Sequence, residues 1–154
     1  MISLLTGVAV MLFGLFFAES MLQLMNTRPE LIDGAVLYFR IYFLGMPGLA
    51  MYNFGNAVLS AVGDTRRPLY CLSLAGVVNV ILNLVFVIVF HMDVAGVALA
   101  SVISQYLSAV LLLAILLKQD GDYRLSVKQL KLKPDIGKEI LRLGIPAGMQ
   151  AVIF

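Results

Sequence analysis

Four stretches of this chain, Met1–Ala18, Ile41–Val62, Leu69–Phe90 and Val94–Leu117, hold no charged side chain. A helix needs about 20 mostly apolar residues, rising about 1.5 Å each, to cross a hydrocarbon core about 30 Å thick. Each stretch reaches that length or falls short by less than a turn. Barrel strands are excluded, because they are about 10 residues long and alternate apolar with polar. Composition agrees: of 154 residues, 61% are hydrophobic and 13% charged, against about 25% charged in a soluble domain. The fold class is therefore all-α, a polytopic membrane helix bundle, with spans over about 1–25, 34–62, 69–90 and 94–117. The first run has no basic flank or small-residue cleavage site, so it reads as a span and not a leader.

Residues 1–117 thus form a four-span unit, followed by a polar segment over 118–142. A last apolar stretch, Leu143–Phe154, has 12 residues and would rise only about 18 Å as a helix. It reads as the start of a further span on which the chain stops, so the 154 residues are expected to be a fragment. Basic residues set sidedness, because Lys and Arg are retained in cytoplasmic loops. Arg66 and Arg67 share one connection; Lys118, Arg124, Lys128, Lys131, Lys133, Lys138 and Arg142 fall in the polar segment. With four spans both lie on one side, which leaves only Arg28 and Arg40 on the other. The first residue is then cytoplasmic.

The turn "GDTRRP" joins the second and third spans. Gly63 suits the left-handed residue that ends a helix, and Asp64 or Thr65 can cap the next one. Arg66 contributes to the sidedness, and Pro68 is tolerated in a first turn because its missing N–H is not needed there. A well-built water-side turn accounts for every letter. No phosphate-binding or nucleophile motif fits it.

Polar residues inside spans must face protein or an aqueous cavity. On the third span Asn79 and Asn83 are one turn apart, with Gly76 a turn earlier. On the second, Asn53, Asn56 and Ser60 share a face, and Pro47 removes a backbone hydrogen bond and should kink the helix. On the fourth, Gly96, Ala100, Ser104 and Ser108 form a small-residue ladder flanked by Ser101 and Gln105. Such ladders are packing seams, and amide pairs also join helices. Stacked amide oxygens at mid-membrane can equally bind a cation or a polar ligand, so Asn79, Asn83, Asn53, Asn56 and Gln105 are the candidate cavity residues. No Asp or Glu lies mid-span: Glu19 and Asp93 sit at span ends. The lone His91 lies at the outer boundary, and the lone Cys71 is expected to act as a small hydrophobe. No catalytic constellation, metal-ligand cluster, cofactor motif or nucleic-acid surface is expected.

"GMPGLAMYNFGNAVLSAVGDTRRPL", "NVILN" and "GVALASVISQYLSA" together resemble the multidrug and toxic compound extrusion (MATE) transporters over about Arg40–Ser108. "ILRLGIPAGMQAVIF" looks like the start of that family's second lobe. The resemblance implies a two-lobe, six-plus-six helix transporter of which these spans are the third to sixth. On it, 118–142 is the inter-lobe linker and 143–154 the start of the seventh helix. It implies a multi-pass protein of the plasma (inner) membrane, partnered by lipid and by the transporter's remaining helices. The implied activity is antiport of cationic, drug-like amphiphiles against Na⁺ or H⁺, with no cofactor. In some members the helix matching Leu69–Phe90 carries an Asn and then an Asp four residues on. Asn79 matches the first, and Asn83 stands in place of the second, keeping an oxygen but losing the titratable group. The competing readings are a related lipid-linked oligosaccharide flippase and a small oligomeric membrane scaffold joined through Gly96–Ser108.

Overall fold

The computed structural model describes residues 2–24 and 29–118, together with eight isolated helical positions between 137 and 150. The chain divides into two compact units, 3–125 and 126–154 with 1–2. The expected linker and last apolar stretch lie, apart from Lys118 and those eight positions, outside the described residues.

The first unit is built from α1 (Ile2–Leu24), α2 (Pro29–Phe43), α3 (Met46–Ala61), α4 (Arg66–Leu84) and α5 (Asp93–Lys118). A π-helical turn, Val85–Val89, extends α4. Helices form throughout because hydrocarbon offers the backbone no partner but itself. α1, α4 with its π turn, and α5 are each long and apolar enough to cross a bilayer.

The second span, expected over 34–62 with a kink from Pro47, is indeed bent. It starts earlier, at Pro29, and is broken at Leu44–Gly45, with the two pieces bent by 46°. Pro47 causes the break from just beyond it, in the first turn of α3. Its ring has no N–H for the Phe43 carbonyl and crowds it. The chain responds with a tight turn in which the amides of Leu44 and Gly45 donate to the carbonyls of Ile41 and Tyr42, at 3.1 and 3.0 Å. The kink thus falls two to three residues before the proline.

With 15 and 16 residues, neither α2 nor α3 is long enough to cross alone. Taken together as a bent pair they are long and apolar enough to cross, and both run beside α5. Gly45 meets Gln105, Gly48 meets Tyr106, and Gly55 meets Leu112 and Leu116, so α3 is parallel to α5. α4 is antiparallel, its π turn reaching Gly96 through Phe86. α1 is antiparallel to the broken span: Gly7 meets Pro47, and the Phe43 ring occupies the space a side chain at Gly14 would need. α1, the α2–α3 pair, α4 and α5 thus alternate in direction.

α5 is the hub, packed against α2, α3, α4 and the π turn. Its inward stripe is Gly96, Ala100, Ser104, Ser108, Leu112 and Leu116, all buried. The small-residue ladder therefore continues into two leucines, and Gly55 leaves the room for them: a Cβ there would stand 2.8 Å from Leu112. Apolar burial does not drive association in lipid, so close van der Waals contact of this kind carries the packing.

Candidate functional site

The water-side turn after α3 is tightly specified. Gly63 is left-handed, φ +85°. The Gly63 amide donates to Ser60 and the Asp64 amide to Leu59, at 3.0 and 2.9 Å. That bond pair is the Schellman arrangement, which satisfies the last carbonyls of a helix. Asp64 then caps α4 by accepting the Arg67 amide at 3.2 Å and pairs with its guanidinium at 3.1 Å. Thr65 holds the cap position without a side-chain bond. Pro68 lies in the first turn of α4, and its carbonyl accepts the Tyr52 hydroxyl at 3.1 Å. Arg66 is exposed. The geometry is that of a structural clasp between α3 and α4.

The polar mid-span residues converge elsewhere. α3, α4 and α5, with Tyr42 of α2, line an open cavity of about 510 Å³. Asn53, Asn79 and Gln105 line it, with Ser101, Ser104 and Ser108 on the α5 wall. Leu49, Leu72 and Ala75 supply its apolar surface. Asn53 also borders a smaller hollow of about 180 Å³ between α1 and α3, so one amide is shared by two spaces. Asn83 is tied to the main cavity through Asn79: its amide nitrogen donates to the Asn79 oxygen at 3.0 Å. Asn56 is not among the lining residues and accepts a 3.4 Å bond from Ser60.

The serines are bonded to their own helix. Ser101 donates to Val97, Ser104 to Ala100 and Ser108 to the Gln105 carbonyl, at 3.0, 2.7 and 2.9 Å. They make the wall small and polar without gluing helices together. The amides differ. The side-chain oxygens of Asn83 and Gln105 are buried and accept no hydrogen bond from the described residues. A buried acceptor without a partner costs about 1–3 kcal/mol, so each marks a place where a donor or a cation is favoured.

Gln105 is positioned by the break. Its side chain packs where Gly45 has no Cβ, and the next residue, Tyr106, donates its hydroxyl to the Leu44 carbonyl at 2.9 Å. Neither Tyr106 nor the cavity-lining Tyr42 stood out in the sequence. Tyr42 had one available signal: it lies one turn before the Gly-x-Pro break. Among the described residues, no charged side chain lines the cavity. Its chemistry is that of amide dipoles, hydroxyls and apolar walls, suited to partly desolvated amphiphiles or to a cation held by carbonyl-type oxygens. Its volume is in the range of about 300–1,000 Å³ that small-molecule sites occupy.

The MatE family model matches residues 1–85. The chain is 34% identical to the "Probable multidrug resistance protein YpnP" of Bacillus subtilis, over 97% of this chain and 34% of that protein. It is 29% identical to "Protein DETOXIFICATION 43" of Arabidopsis thaliana, over 77% of this chain and 23% of that one. With the "Probable multidrug resistance protein NorM" of Thermotoga maritima it shares 27% identity over 84% of this chain and 28% of the relative. The chain spans about a third or less of the length of these relatives. No solved structure matches it.

Proposed function

The chain belongs to the MatE family, and from that premise we propose that the protein exports small cationic amphiphiles across the plasma membrane in exchange for Na⁺ or H⁺. The chain supplies the third to sixth helices of the first lobe and the start of the seventh. The observation that carries the reading is the uncharged cavity between α3, α4 and α5, where three amides face apolar walls. An amphiphilic cation needs both: apolar contact for its body, and oriented dipoles that do not trap it as a fixed carboxylate would. Asn79 and Asn83 hold the α4 side of this site as a bonded pair.

Amides do not titrate, so this part of the protein contributes to coupling as oxygen ligands and not as a proton carrier. The test uses the protein from its complete gene, with ethidium efflux from cells as readout. Asn79→Leu and Asn83→Leu should each slow efflux about tenfold, the scale of losing one hydrogen bond to a charged group. Unchanged efflux at normal protein level would remove the pair from the mechanism. Asn83→Asp adds a titratable group and should make efflux more pH-dependent. In proteoliposomes, separately imposed Na⁺ and H⁺ gradients identify the coupling ion.

A further inference from the structure

A second hollow, about 610 Å³, opens between the start of α4 and the end of α5. Leu74, Leu111 and Ala114 form its apolar wall, and Arg67, Tyr70 and Lys118 line it as well. We infer that this groove is a binding site for one anionic phospholipid, with its phosphate held between Arg67 and Lys118 and an acyl chain lying along α4 and α5.

Two features select this occupant. The first is the arrangement of charge. Arg67 comes from the first turn of one spanning helix and Lys118 from the last residue of another, which places both at headgroup level. Asp64 is bound to the Nε edge of Arg67. Among the described lining residues two are cationic and none is anionic, and the positive end of the α4 dipole adds to that charge. Asp64 also orients the guanidinium, which favours phosphate because its planar fork matches phosphate oxygens. A choline headgroup would bring its own cation to this mouth, so a net-negative head is preferred. The second feature is the apolar wall. Inorganic phosphate would leave it empty, whereas an acyl chain fills it. Tyr70 is 70% exposed at the boundary, where an amphipathic ring is suited to the interface. Basic pockets between spanning helices take anionic headgroups for these general reasons.

The test does not rest on transport. The protein from its complete gene, purified in detergent, is mixed with equal phosphatidylglycerol and phosphatidylcholine, and retained lipid is counted by native mass spectrometry. Wild type should keep phosphatidylglycerol in preference. Lys118→Gln should weaken retention about fivefold and the Arg67→Gln/Lys118→Gln pair about 30-fold at low salt, from the strength of basic residues near a membrane surface. Ala114→Trp fills the groove without touching a charge and should also release the lipid. Millimolar inorganic phosphate should not displace it. Lys118→Gln lies outside the Asp64 pair, so it still decides the matter if the double variant fails to fold. Equal retention of both lipids, unaltered retention in Lys118→Gln or Ala114→Trp, or displacement by phosphate would each overturn the site. So would absence of retained lipid, the result expected if another helix of the complete protein fills the groove.

Discussion

At Gly63 the backbone must turn left-handed, and nothing lies within 4 Å of the space a Cβ would occupy. The cost of a side chain there is purely conformational. Gly63→Ala should therefore lower stability by about 1–2 kcal/mol, read as a lower melting temperature in detergent, with cavity binding unaffected. An unchanged melting temperature would mean that the turn is not held in this form. The turn was legible residue by residue, because capping is local and its donors lie within a few positions of their acceptors. The spacing of Asn79 and Asn83 was legible for the same reason: one helical turn fixes their meeting. Gln105 was different. Its environment depends on Gly45, 60 positions away in sequence, and no local rule links the two.

Among the helices, glycines divide into those that seat a neighbour and those that face open space. Gly7 is of the first kind: a Cβ there would stand 2.7 Å from the Pro47 Cα. Backbone cannot rotate aside as a side chain can, so α1 would have to move away from α3 and strain the 3.0 Å bond from Ser3 to the Ala50 carbonyl. Gly7→Val should destabilise the protein by about 1–3 kcal/mol, the usual cost of overpacking. Gly34, with nothing within 4 Å, is the matched control; Gly34→Ala should be neutral or gain up to about 1 kcal/mol. Equal thermal shifts for the two variants would contradict the α1–α3 seam. The seam carried a sequence signal that passed unnoticed: Gly7, Gly14 and Ala18 are the small members of α1's buried stripe. On α5 the ladder was visible, but its continuation into Leu112 and Leu116 was not, since leucine in a span gives no hint of which face it occupies.

Across the whole molecule, alternating helix directions bring Arg67 and Lys118 to one end, where they line the same groove. Glu19 and Arg40 are together at the other, 4.0 Å apart. Single cysteines at Arg66 and Lys118 should therefore label with an impermeant maleimide from one side of the membrane, and a cysteine at Asp33 from the other; Cys71 is buried and should give little background. Labelling of Arg66 and Lys118 from opposite faces would break the topology. By itself the sequence determined the all-α membrane class, the apolar stretches and the inventory of amides within them. Those follow from solvation: lipid rejects charge and unpaired backbone wherever they occur, so composition and order suffice to place them. Only the tertiary structure decided that the second crossing breaks before Pro47 and runs beside α5. It also decided which amides share a cavity and which oxygens are buried without a donor. Such matters depend on the rotation and register of packed helices, which are set by contacts between residues far apart in the chain.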